Sequence, residues 1–291
     1  MAEPQKAESV GTQHQARREG LQIRDLTVSI HGKPIIRGID LDLTPGKITG
    51  LAGESGSGKS MTGLAMLGLL PDGSQAGGEI RFDGRNLLEC DEREYGKLRG
   101  ARIAMVFQDP TASLHPMLTI GRQLTDHLRV HTGMSKRDAL AKALDTLERV
   151  KVPDPATALK KYPHQFSGGQ LQRVAIAIAI ICEPEILIAD EPTTALDVTV
   201  QAGVLRLLQQ LCDELDIAVV LITHDLGVMS SLAERISVMR GGEIVEEGPR
   251  YEVLRRPQHT YTRSLVEALP NHEPFLEGAV ESAEARPEVG S

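Results

Sequence analysis

The sequence predicts an α/β fold: a parallel sheet with crossover helices, an antiparallel β portion at the start, and an inserted helical lobe. Three observations predict it. Short apolar runs at residues 48–52, 103–107, 186–190 and 217–223 have the length and continuity of strands buried on both faces. Residues 21–43 instead alternate apolar and polar, the period of half-buried antiparallel strands. Residues 117–183 lose both patterns and turn mostly helical in spacing.

Taken in order, residues 1–20 are polar and mixed in charge, and are expected to be a disordered tail. Strands are expected over 22–30 and 36–43, and Pro45-Gly46 turns the chain into the buried run 48–52. That run feeds Gly53-Glu54-Ser55-Gly56-Ser57-Gly58-Lys59-Ser60, and an apolar helix follows over 61–70, stopped by Pro71-Asp72-Gly73. Gly77-Gly78 precedes a strand over 79–82, which turns at Asp83-Gly84. The run 103–107 ends at Gln108. In the lobe, Ser135 and Asp138 resemble a capping box, and Ala139, Leu140, Ala143, Leu144, Leu147 and Val150 follow at helical spacing. A second lobe helix spans 167 to about 182. After the run 186–190, a helix covers 198–215, the strand 217–223 ends at His224, and a hairpin over 235–247 turns at Gly241-Gly242. From Asn271 the chain is acidic, aperiodic and contains Pro, so 271–291 reads as a disordered tail.

Composition narrows the partners. The net charge is −8 and no long basic tract occurs, so bulk electrostatics do not favour nucleic acid. The longest apolar run, residues 174–182, falls far short of the ~18 residues that span a bilayer. With no signal peptide expected, the chain reads as cytosolic, with any membrane link made through another subunit. Cys90, Cys182 and Cys212 are widely spaced with no C-x-x-C pair, so neither a metal site nor a disulfide framework is indicated, and Cys182 and Cys212 read as core thiols.

The chemistry concentrates at a few strand ends. Residues 53–60 fit G-x-x-x-x-G-K-[ST], a phosphate-binding loop set between strand and helix. Such a turn aims backbone N–H groups and the positive helix end at one point, Lys59 adds a charge for the β- and γ-phosphates, and Ser60 offers a hydroxyl to Mg²⁺. Asp190-Glu191 closes a buried strand beside that loop: Asp190 suits Mg²⁺, and Glu191 suits a general base for an attacking water. Gln108 can ligate Mg²⁺ or the lytic water, and His224 can donate to a γ-phosphate. Phe166-Ser167-Gly168-Gly169-Gln170 opens a helix with a Ser cap and two glycines, a second anion cradle. One loop already wraps one triphosphate, so the second cradle needs another explanation.

That pairing is where the chain resembles the ABC-type ATPases, whose signature sequence it matches apart from Phe166 in the usual Leu position. The resemblance covers about residues 21–250, with the motifs in the family's order: Gln108 at the Q-loop, Ala195-Leu196-Asp197 at the D-loop, and His224 at the switch histidine. It implies a P-loop NTPase (ABC ATPase) core with an antiparallel β subdomain and an inserted α-helical lobe over 117–183. A C-terminal extension then covers 251–270. ATP and Mg²⁺ are implied, with Gly53 to Ser60 and Met61 around the phosphates and Ser60, Gln108 and Asp190 at the metal. Two cassettes pair head to tail, the signature of one closing over the ATP of the other. The family's adenine-stacking aromatic is replaced by His31, before Gly32; imidazole stacks with less area than Tyr.

Within the family, the details resemble the ATPase subunits of dipeptide, oligopeptide and nickel importers. Phe107-Gln108-Asp109-Pro110-Thr111-Ala112-Ser113-Leu114-His115-Pro116, Tyr162-Pro163-His164-Gln165 and Pro257-Gln258-His259-Thr260-Tyr261 carry this likeness. It implies peptide uptake through two membrane permease subunits, with an extracytoplasmic solute-binding protein and a second, non-identical ATPase, at the cytoplasmic face of the membrane. Nickel or a metal chelate is the alternative cargo. A soluble ABC ATPase acting on DNA or ribosomes is the alternative from another class. It is disfavoured because only a modest lobe separates Ser60 from Asp190 and because the chain carries one cassette. Related importers hold an iron–sulfur cluster on C-terminal cysteines; with no Cys after Cys212, none is expected here. Residues 109–118 are expected to dock a membrane subunit, with Leu114, Met117 and Leu118 as outward apolar anchors.

Overall fold

The alternating segment forms two antiparallel strands, β1 (Leu21–Ile30) and β2 (Lys33–Leu43), and it changes phase midway. Leu21 and Ile23 point inward, and then Leu26 and Val28 do. A register shift between Ile23 and Leu26 absorbs the extra residue, with Asp25 at φ 46. Such a bulge lets an odd-numbered pair and an even-numbered pair share one buried face. The computed structural model describes residues 20–269 apart from Ala195; both expected disordered tails lie outside the described residues except for Gly20.

In chain order the remaining elements are β3 (Ile48–Ala52), α1 (Lys59–Met66), β4 (Ser74–Phe82), β5 (Arg85–Asn86), α2 (Glu92–Leu98) and β6 (Ile103–Val106). The lobe contributes α3 (Ile120–Thr132), α4 (Lys136–Arg149), α5 (Pro155–Ala158) and α6 (Gly168–Ile180). Then come β7 (Ile186–Asp190), α7 (Val198–Leu215), β8 (Ala218–Thr223), α8 (Leu226–Leu232), β9 (Arg235–Arg240), β10 (Glu243–Pro249), α9 (Arg250–Arg255) and α10 (Thr260–Glu267).

Two sheets result. One is antiparallel in order β2-β1-β4-β5. The other runs β10-β9-β3-β8-β7-β6, parallel except for the edge strand β10. The period of two along its strands divides the core. Ile186, Ile188, Val220 and Ile222 face the antiparallel sheet and α1, whereas Leu187, Ala189, Val219 and Leu221 face a cluster that includes α6 and α7. Burial on both faces explains why these strands read as continuous apolar runs.

Several expected boundaries differ, β2 among them, which begins at Lys33 and not at 36. The helix after the phosphate loop spans Lys59–Met66, not 61–70. It ends in a left-handed turn: Gly68 takes φ 61, its N–H donates to the Ala65 carbonyl at 3.1 Å and the Leu69 N–H to the Leu64 carbonyl at 2.9 Å, and a Cβ at Gly68 would lie 2.5 Å from the Tyr95 ring. β4 begins at Ser74 and not at 79, since β1 extends its pairing back to Ile30 opposite Ser74. α3 was not singled out by the sequence, although Ile120, Leu124 and Leu128 recur at fourfold spacing behind a Thr119 cap. The thiols of Cys90, Cys182 and Cys212 are free. Burial pushes the Cys212 thiol up to about 12 and that of Cys182, just past α6, to about 11. Among the described residues no helix is long and apolar enough to cross a membrane.

Candidate active site

Neighbouring parallel strands deliver their C-terminal ends to one edge. Ala52 of β3 pairs with Thr223 of β8, Asp190 of β7 with Ile222, and Val106 of β6 with Ala189. Gly53, His224, Glu191 and Gln108 therefore leave the sheet along that edge.

The loop from Gly53 to Ser60 is built around two tight positions. Gly53 sits at φ 149 with a Cβ site 2.1 Å from the Met239 carbonyl oxygen, and Gly58 at φ 110 with one 2.6 Å from Met239 Cε. A side chain fits at neither. Gly58 is the N-cap of α1, and among the described residues no side chain caps the helix, which leaves its first-turn N–H groups open to a phosphate. Ser57 N–H donates to the Glu54 carbonyl at 3.2 Å, while Ser57 Oγ is buried and has no hydrogen-bond partner among the described residues. Lys59 is 6 % exposed as a residue, and its ammonium donates to the carbonyls of Gly53 (2.9 Å) and Glu54 (2.8 Å). Burial holds its pKa below the ordinary lysine value, partly opposed by Glu191, Asp190 and Glu54. Glu54, Ser55 and Gly56 form the exposed rim, and Met61 is half-buried.

Across from the loop, Ser60 Oγ donates to Asp190 Oδ1 at 3.1 Å. Burial raises the Asp190 carboxyl above the ordinary aspartate range, with the Glu191 charge adding to it; the Ser60 hydrogen bond and Lys59 act the other way. Gln108 is exposed at the same edge, and among the described residues no hydrogen bond joins it to Ser60 or Asp190.

Glu191 adopts φ 48, an uncommon backbone region for a side-chain-bearing residue, and its N–H donates to the Ile222 carbonyl at 2.8 Å. Its carboxylate is gripped from both sides: His224 Nδ1–H donates to Oε1 at 2.7 Å, and Thr194 Oγ1 donates to Oε2 at 2.9 Å. A carboxylate only accepts, so Nδ1 carries the proton here, and Nε2 can donate to a phosphate only when the ring is protonated. Thr194 received no role from the sequence; its spacing three residues after Glu191, across a turn, was the available signal. His31 lies in the β1–β2 turn at φ 48, with its N–H on the Gly73 carbonyl at 3.0 Å and its ring packed against Gly73.

The second cradle stands apart. Ser167 caps α6 in a reciprocal box: Gln170 N–H donates to Ser167 Oγ at 3.4 Å, and Ser167 N–H to Gln170 Oε1 at 3.2 Å. Gly169 packs on Val200, and Gly168 faces Leu196. Asp197 caps α7 by accepting from Val200 N–H at 3.0 Å, and Ala195 lies outside the described residues. The Lys161 ammonium lies 5.7 Å from the Phe166 ring centroid. Among the described residues no hydrogen bond links 166–170 to the loop 53–61. The expected docking segment also splits. Met117 is 75 % exposed, but Leu114 is buried in the core, so Leu114 is not an outward anchor. Gln123 folds the segment inward by bonding the backbone of His115 and Leu118.

A phosphate loop and an acidic strand end on one parallel edge, with a capped glycine cradle on an inserted lobe, define an ABC-type ATPase. A family model described as ABC transporter matches residues 36–194. The chain is 47 % identical to a probable peptide ABC transporter ATP-binding protein, y4tR, of Sinorhizobium fredii, over 86 % of this chain and 77 % of that one. It is 46 % identical to the dipeptide transport ATP-binding protein DppD of Bacillus subtilis, over 86 % and 76 %. Among solved structures it is similar to the dimeric post-hydrolysis state of the ATP-binding cassette MJ0796 bound to ADP and Pi. That match has a TM-score of 0.69 at 30 % identity, covering 79 % of this chain and 98 % of that one. The chain belongs to the ABC transporter family.

Proposed function

We propose that this chain binds and hydrolyses ATP with Mg²⁺ and powers uptake of di- and oligopeptides through separate membrane subunits. The observation that carries the reading is the convergence of Lys59, Ser60, Asp190, Glu191 and His224 at one sheet edge. The residues present fit the ligands. The first-turn N–H groups of α1, which no side chain caps, suit phosphate oxygens, and the Ser60 hydroxyl and Asp190 carboxylate oxygens suit a hard cation. Lys59 exchanges its two carbonyl partners for phosphate. Ser60 and Asp190, joined by Gln108, would hold Mg²⁺, which when bound offsets phosphate charge. Glu191 takes the proton of the attacking water, and His224 and Thr194 fix the carboxylate that receives it.

The exposed Ser167–Gln170 cradle serves a second, non-identical ATPase subunit, closing over that subunit's nucleotide. The membrane subunits dock on the segment 109–118 that follows Gln108, through the exposed Met117 and without the buried Leu114. The chain thus works at the cytoplasmic face of the membrane without entering it. The peptide names of the relatives favour peptide over nickel as cargo. The test is the ATPase rate of the complex assembled with permease and solute-binding protein. Peptide-loaded binding protein should stimulate it; stimulation by a nickel chelate and not by peptide would overturn the cargo.

A further inference from the structure

The C-terminal extension reaches back to the phosphate loop. Tyr261, in the first turn of α10, is 9 % exposed, and its hydroxyl accepts the Glu54 backbone N–H at 2.9 Å. Several contacts bring it there. The Glu246 carboxylate on β10 accepts the N–H groups of Gln258 (2.8 Å) and His259 (2.9 Å), and His259 Nδ1 accepts that of Tyr261 at 3.2 Å. The Arg240 guanidinium lies 4.7 Å from the Tyr261 ring centroid. Arg240 leads into the turn whose Gly242 N–H donates to the Ser57 carbonyl at 3.0 Å.

Glu54 is the point where these contacts meet the nucleotide machinery. Its carbonyl accepts both the Lys59 ammonium (2.8 Å) and Ser57 N–H (3.2 Å), while its N–H belongs to Tyr261. The hydroxyl therefore fixes the loop backbone at Glu54, and this tie, like that of Ser57 N–H to the Glu54 carbonyl, stays when Lys59 exchanges its carbonyl partners for phosphate. A loop already ordered in its binding shape loses less entropy when phosphate arrives.

We propose that Tyr261 is a positioning residue for nucleotide binding, tying the ATP affinity of the phosphate loop to the docking of the C-terminal extension. This rests on the loop being the ATP site. The competing role for Tyr261 is simple core filling, which its ring alone would satisfy.

Tyr261→Phe keeps the ring and removes the acceptor. In the full-length chain we expect the Kd of a fluorescent ATP analogue to rise about fivefold, the size of one neutral hydrogen bond. KM for ATP should rise in step with kcat changed less than twofold, and hydrogen exchange at the Glu54 amide should accelerate. Glu246→Ala, which leaves Tyr261 intact but frees the extension, should reproduce the rise in Kd. Wild-type Kd in Tyr261→Phe overturns the proposal, as does weakened binding with unchanged exchange at Glu54. Lys59→Ala is the control for the underlying reading. Loss of binding there with normal binding in Tyr261→Phe defeats only the positioning role; normal binding in Lys59→Ala defeats the site itself.

Discussion

Two glycine-containing turns in the molecule each enter a helix N-terminus, and their surroundings differ. Around the first, Gly53 to Ser60, the chain supplies a buried ammonium, an acidic strand end and a histidine. Around the second, Ser167 to Gln170, it supplies a capping box and apolar backing from Val200 and Leu196, with Ser167 and Gly168 exposed. The first is equipped within the chain. The second is closed by its own capping box, and among the described residues no charged side chain bonds to it; the proposed role is to complete a site on another subunit.

Substitutions at the first cradle sharpen this contrast, beginning with the largest effect. Lys59→Ala removes the loop's only cationic side chain and should abolish measurable ATP binding while the fold persists; equilibrium binding of a fluorescent analogue checks this. Glu191→Gln keeps the shape of the carboxylate but cannot accept a proton. Its turnover should fall by ~10² or more with ATP binding retained. Wild-type turnover would transfer the proton to another group, His224 first. If His31 stacks on adenine, His31→Ala should weaken ATP by about 1 kcal/mol and His31→Tyr should strengthen it. Equal affinities in all three proteins would place the base elsewhere.

The smallest effect is on stability. Burial raises the Asp190 pKa, so the folded state binds protons that the unfolded state has released between the ordinary aspartate value and the raised one. The resulting stability is present at low pH and is lost as pH rises through the folded pKa. At neutral pH the ionised carboxylate is thus a burden in the nucleotide-free protein. Asp190→Asn should raise Tm at pH 7 on the order of 2 °C, with the gain fading below the ordinary aspartate range. A lower Tm at pH 7 would show that the Ser60 hydrogen bond and Lys59 outweigh desolvation.

What was legible in the sequence was local. The phosphate loop, the acidic strand end and the Ser167 cap are written in consecutive residues, and the buried strands in unbroken apolar runs. Features set by distant packing were not. The early end of α1 is a left-handed turn at Gly68, where Tyr95 leaves no room for a Cβ. The phase change in β1 needs a bulge at Asp25 that composition does not announce. Leu114 sits between strand and helix with no period to show which way it points, and Tyr261 meets Glu54 from 207 positions away.

The most direct test of the difference between the cradles is Ser167→Arg, which places a bulky cation on the exposed helix cap. ATP affinity of the isolated chain and ATPase rate of the assembled complex should be measured on the same variant. We expect affinity within twofold of wild type and stimulated turnover lost. A parallel fall of ATP affinity in the isolated chain would show that the second cradle serves the chain's own nucleotide, contradicting the account.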